Sequence, residues 1–165
     1  MSDQPAPQLD PIRRLYTLAA AIPGAATAEG VLDAPFDAVW ETVRDLEHVG
    51  GIEILVGNPR IVSRRPDPET GGERLELEYT ARPIMTREVL DVDMRPGWCF
   101  MQSKLGIAAM AAVPEGDRTR FAHLEAVRLP GRRLFGPLLK AKMSLVRELR
   151  RFERQAQERA RRAPS

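Results

Sequence analysis

The sequence predicts an α+β domain: a curved antiparallel sheet of about seven strands, two small helices after strand 1, a long C-terminal helix and an extra short N-terminal helix. Three observations carry this. The segment DAPFDAVWETVRDLEHV, Asp33 to Val49, reads as amphipathic helix and follows directly on the apolar run GVL. From Pro59 to Leu129 the hydrophobic period is two and the breaks are short, the pattern of consecutive hairpins. The chain then turns helical from about Leu134 to Arg161.

Taken in order, Ser2 to Gln8 is Pro-rich and reads as a frayed lead-in. Asp10-Pro11 offers an N-cap followed by proline at the first helical position. Ile12, Leu15, Tyr16 and Ala19 continue at helical spacing until Pro23-Gly24. Thr27 to Leu32 is the first strand. Asp33 is placed to cap the next helix, where Phe36, Val39, Trp40 and Val43 follow the i, i+3, i+4, i+7 pattern. A second small helical turn through Leu46 and Val49 ends at Gly50-Gly51.

Strands are expected at 60–65, 73–80, 85–94, 98–105, 108–113 and 119–129. In the second of these, Leu75, Leu77 and Tyr79 share one face while Arg74, Glu76 and Glu78 share the other, as in a sheet with one wet side. On the C-terminal helix one stripe holds Leu138, Lys142, Leu145, Leu149, Phe152 and Ala156. Phe135, Leu139, Met143 and Val146 widen it in the first half, and at ~1.5 Å per residue the helix is about 40 Å long, enough to cross a small sheet.

A long helix laid across a curled sheet leaves a gap at one end, and the small helices inserted after strand 1 close it. The product is an enclosed pocket. Six alanines crowd the last strands (Ala108, Ala109, Ala111, Ala112, Ala122 and Ala126) and suit close packing or leave room for a guest under the long helix.

Composition bounds the alternatives. The 165 residues suit one core, and a chain of this size buries roughly 70% of its unfolded surface without needing metal or disulfides. One cysteine, Cys99, excludes an intrachain bridge and fits a reducing compartment. The opening MSDQPAPQLDPIRRLY has acidic residues and prolines before any apolar run, so no secretory signal is expected. No apolar window reaches the ~18 residues of a membrane span, and a cytoplasmic location is expected. The net charge of +2 divides into +8 from Gly131 onward and −6 before it. That basic end suits weak membrane-surface contact or the solvated face of a helix. Its arginines alternate with Glu148, Glu153 and Glu158, and Glu148 with Arg151 reads as an exposed pair. Phe152 is the only aromatic from Arg147 to Arg162 and lies on the apolar stripe, so no nucleic-acid binding is expected.

The segment GVLDAPFDAVWETVRDLEHV resembles the opening motif of the START-like superfamily, which includes polyketide cyclases, dehydrases and lipid-transfer proteins. Val31, Ala34-Pro35, Phe36, Val39-Trp40 and Asp45 carry the likeness, with GGERLELEY, REVLDVDMRPG, DRTRFAHLEA and the long last helix in support. It spans roughly Thr27 to Gln155. The resemblance implies a helix-grip fold holding a cavity for an apolar molecule such as a lipid, polyketide or isoprenoid. It implies a START-like domain over residues 25–165 with residues 1–24 as an N-terminal extension. Many members carry Trp and Pro where this chain has LEHVGG, 46–51, so the pocket entrance is expected to differ. The aromatase/cyclases of the superfamily carry an arginine on a central pocket strand, and Arg87 is the matching position here.

Candidate ligand-binding residues are Trp40, Leu75, Leu77, Tyr79, Leu90, Val92, Phe135, Leu138, Leu139, Lys142 and Leu145, with no cofactor expected. Candidate catalytic residues are Arg87, Glu88, Tyr79 and His123. Strict alternation turns Glu88 inward with Leu90 and Val92 and sends Arg87 outward, unless a bulge near Pro83 reverses the strand. His123 and Glu125 share a face of the last strand with Phe121. They form an acid/base pair if that face is inward, and meet solvent if Ala122, Leu124 and Ala126 look inward instead. Two histidines and one cysteine are too few for a His/Cys metal site, so none is expected. The readings left open are a ligand-binding module, a cyclase/dehydratase using the same cavity, and an interaction protein using the basic helix.

Overall fold

The computed structural model describes residues 9–48, 56–82, 84–128 and 143–162. Its elements are α1 (Pro11–Ala21), β1 (Ala26–Leu32), α2 (Phe36–Arg44), β2 (Val56–Asp67), β3 (Gly72–Ala81), β4 (Thr86–Arg95), β5 (Trp98–Gln102), β6 (Gly106–Glu115), β7 (Arg118–Val127) and α3 (Met143–Arg162). The seven strands form one antiparallel sheet in the order β1-β7-β6-β5-β4-β3-β2. The architecture is the α+β arrangement predicted, with a helix after the first strand and a long helix at the C-terminal end.

Helix α1 forms as its first residues dictate: the Asp10 side chain accepts from the N–H groups of Ile12 (3.0 Å) and Arg13 (3.1 Å), and Pro11 fills the first turn. Ile12 and Leu15 pack on the outer face of β5–β7 against Trp98, Ala109, Ala111, Ala122 and Leu124. The backbones come close here. A Cβ on Gly97 would sit 2.7 Å from the Ala112 carbonyl, and φ of +73° fits glycine as well.

The inner face is built by the alternating residues of β3 and β4 together with Cys99, Met101, Met110 and Phe121. Helix α2 lays Val39, Trp40 and Val43 on it, and α3 lays Leu149, Phe152 and Ala156. The Phe121 and Phe152 rings stack at 4.9 Å. The helices are also tied to each other. Asp45, just past α2, accepts from Arg159 of α3 and lies 2.6 Å from His48.

Several expectations change. Asp33 does not cap α2, whose N-cap is Pro35. Its backbone holds α3 instead: the Asp33 N–H donates to Glu153 (2.9 Å), and Gln157 donates to the Asp33 carbonyl (3.1 Å). Strand β2 begins before Pro59 and carries it. Proline is tolerated there because β2 is an edge strand with register shifts on either side of Arg60-Ile61. The six alanines divide, Ala109, Ala111, Ala122 and Ala126 lying under α1 and only Ala108 and Ala112 on the inner face.

Strand β7 is buried on both sides, so its two open alternatives were incomplete: Phe121 and His123 face inward while Ala122, Leu124 and Ala126 face α1. Glu148 is 4% exposed, which removes it from the solvated face where its pairing with Arg151 had put it. Val146, expected to widen the buried stripe, is 51% exposed. In place of the second small helix, residues 46–48 form a turn in which the His48 N–H donates to the Asp45 carbonyl (3.1 Å) and Leu46 is buried. Val49 and the expected first part of the long helix, with Phe135, Leu138, Leu139 and Lys142, lie outside the described residues, as does the Met143 side chain.

Candidate functional site

Among the described residues, the inner face is not filled at the end where β3, β5 and β7 finish. A pocket of about 140 Å³ lies there, lined by Tyr79, Leu90, Met101, Leu105, Ala108 and Glu125 among others. The local sequence explains the gap. Ala108, which pairs with Glu125, contributes one carbon where Met110 and Phe121 fill space further along. Most of the wall is apolar, and the polar groups are few. The Tyr79 hydroxyl and Ser103 Oγ are 3.2 Å apart, and Ser103 Oγ accepts from the Leu105 N–H at 3.1 Å, which fixes the β5–β6 turn as one wall. The Arg82 guanidinium stands at the rim over Gly57, where a Cβ would meet its Nε at 2.7 Å.

Glu125 belongs to a second feature as well. His123 precedes it by two residues and so points to the same face. His123 Nε2 lies 3.8 Å from Glu125 Oε1, and His123 Nδ1 lies 3.6 Å from Glu148 Oε2 on α3. Burial drives the His123 imidazole down to about 4. Burial, and after it the Glu148 carboxylate, push Glu125 up to about 7. Burial raises Glu148 to about 6 against the pull of Arg151. Burial thus favours the uncharged imidazole on His123 and the protonated carboxyl on Glu125. Such a group in an apolar wall is suited to giving or taking a proton.

Of the residues singled out in the sequence, Tyr79 and Leu90 line the pocket. Trp40, Leu75, Leu77 and Val92 are buried in the packed remainder of the inner core, and Leu145 is buried on α3. Arg87 is not a pocket residue. Its side chain is 78% exposed on the outer face, 3.8 Å from Glu78, because β4 keeps strict alternation and no bulge reverses it. Glu88 is half-buried on the inner side but does not line the pocket. Sequence reasoning put Glu148 on the solvated face and not in the site. The signal was present, since Leu145, Glu148, Leu149 and Phe152 occupy i, i+3, i+4 and i+7 of one stripe. Glu125 was noticed only as the partner of His123, and its place in the pocket wall needed the sheet register. Among the described residues no helix is long and apolar enough to cross a membrane.

No family model matches the chain, and no curated protein does. Solved structures do. The Zhui aromatase/cyclase from Streptomyces sp. R1128 superposes with a TM-score of 0.63 at 16% identity, over 86% of this chain and 98% of that one. An 18 kDa protein from Caulobacter crescentus gives 0.62 at 16% identity, over 83% and 95%. A START superfamily protein from Mycobacterium smegmatis gives 0.56 at 16% identity, over 81% and 97%. The chain therefore has the START-like helix-grip fold. Likeness at this level of identity speaks to fold, and function has to be argued from the site.

Proposed function

We propose that the protein binds a hydrophobic small molecule between the inner face of its sheet and the C-terminal helix. The observation that carries this reading is the apolar pocket of about 140 Å³ with few polar groups in its wall. A cavity of roughly 150 Å³ accepts benzene. The buried part of the guest is therefore about one ring or a short branched chain, as at one end of a lipid, polyketide or isoprenoid. Its burial supplies the affinity, at about 25 cal/mol per Å². The Glu125 carboxyl and the Tyr79–Ser103 hydroxyl pair orient a polar end. In this reading residues 25–165 form the binding domain, and residues 1–24 are an extension whose helix covers the outer face.

A size series tests the proposal: isothermal titration with benzene, naphthalene and anthracene. Saturable binding that weakens as the rings outgrow the pocket is expected. Absence of saturable binding by any of the three overturns it. One observation favours a second reading, a cyclase/dehydratase: a carboxyl and a phenol both face the same apolar space. If a bound β-hydroxy ketone loses water in the wild type and not in Glu125→Gln, that reading replaces simple binding.

A further inference from the structure

An apolar guest does not require the cluster behind the pocket wall. His123 and Glu125 come from β7 and Glu148 from α3, and one donor atom of each lies within 4.8 Å of the others. The closest approaches, 3.6 and 3.8 Å, are too long for hydrogen bonds, so these groups do not satisfy one another. Glu148 is 96% buried by its 4% exposure, and its Oε2 has no hydrogen-bond donor among the described residues. A buried carboxylate oxygen left without a donor is costly, and proteins keep such atoms where something else meets them. The oxygen points at the imidazole and thus into the cluster.

We infer that His123, Glu125 and Glu148 form a binding site for a divalent transition-metal ion of the zinc class. The donor set decides the class. Calcium and magnesium prefer six or more oxygens, whereas one imidazole with two carboxylates suits zinc and its neighbours. Zinc holds nitrogen and oxygen donors at about 2.0–2.2 Å, which places donors roughly 3.3 Å apart in a tetrahedron. Starting from 3.6 and 3.8 Å, binding requires the carboxylates to close that small difference by rotation about their own side-chain torsions. One strand and one helix fix the three residues, so the site does not depend on a loop. Three protein ligands leave a coordination position open, the pattern of a catalytic rather than a structural zinc site. Because Glu125 also lines the pocket, the site lies at its wall, within reach of an oxygen on the guest. The inference does not rest on the pocket's occupancy, since the ion is read without any guest.

The test uses the full chain, stripped with chelator and titrated with Co²⁺ and then Zn²⁺. One equivalent of Co²⁺ is expected to give a visible d–d band that Zn²⁺ abolishes. Glu148→Gln and His123→Asn should each weaken binding by at least the ~10–100-fold that even outer partners of a metal site carry. Glu158→Gln, exposed on the same helix, should leave it unchanged. Long-range ¹H–¹⁵N spectra give a readout that needs no variant. The chain has two histidines, and Zn²⁺ should move the ring nitrogens of buried His123 while leaving those of exposed His48 in place. The inference is overturned if no band appears at one equivalent, if both variants bind Co²⁺ as tightly as the wild type, or if His48 shifts in place of His123.

Discussion

Strands β3 and β7 lie toward opposite ends of one sheet, and their surroundings differ in a way that decides what each can do. In β3 one face is core and the other carries Glu76 and Glu78, which pair with Arg65 and Arg60 of β2. In β7 both faces are covered, Phe121 and His123 under α3 and Ala122 and Leu124 under α1. The apolar cover that α1 adds makes the two strands unlike. A residue that would be an exposed polar group on β3 becomes, on β7, a buried group in need of a partner. The polar residues of β7 are therefore the informative ones.

The largest test of this contrast removes part of the α1 cover. Leu15→Ala, at a fully buried position, should cost about 2–5 kcal/mol in urea unfolding, whereas Glu76→Ala on the outer face of β3 should change stability by no more than about 0.5 kcal/mol. A cost below about 1 kcal/mol for Leu15→Ala would mean that α1 is an ornament and that β7 is not doubly buried. Next in size, Ala108→Phe places a ring in the pocket. Benzene affinity should fall at least about thirtyfold, or ~2 kcal/mol, with the fold retained by circular dichroism. Tyr79→Phe on β3 removes the hydroxyl that meets Ser103 and should cost about 1 kcal/mol.

The smallest effect concerns pH. Partial burial pushes the Asp45 carboxyl up, but hydrogen bonds from His48 and Arg159 outweigh it and hold the group below its usual value of 3.8. A depressed carboxylate stabilises the fold above the unfolded-state pKa and loses that contribution as pH falls through the folded one. The link between α2 and α3 should therefore weaken only below about pH 4, by no more than about 1 kcal/mol for a partly exposed pair. Melting curves at pH 7 and pH 3 should show a larger drop for the wild type than for Asp45→Asn. An equal drop would place the acid sensitivity elsewhere.

The same contrast explains what could be read from the sequence. The β3 pattern was plain because solvent wets one face, and alternation then states directly which side is core. It marked the wet side of the sheet, while the short breaks gave the hairpins, and Leu90 and Val92 on β4 pointed Arg87 outward unless a bulge near Pro83 intervened. Strand β7, TRFAHLEA, alternates less clearly, since alanine and leucine under α1 resemble the residues of an inner face. Nothing in single-strand periodicity says that both sides are covered. Glu148 was hidden for a related reason. A glutamate among arginines reads as a solvated helix residue until the sheet places an imidazole opposite it. The expectation was a cavity enclosed between sheet and long helix, whereas the pocket at the ends of β3, β5 and β7 is lined, among the described residues, by strand and turn residues, with Ala108 opposite Glu125.

The most direct measurement is a benzene titration followed by ¹H–¹⁵N NMR on the wild type and Ala108→Phe. The account predicts saturable shifts at the amides of Tyr79, Leu90, Met101 and Ala108, with none of comparable size on the outer face under α1, and their loss in the variant. Shifts that are absent or unsaturable in the wild type, or that persist unchanged in Ala108→Phe, would contradict it.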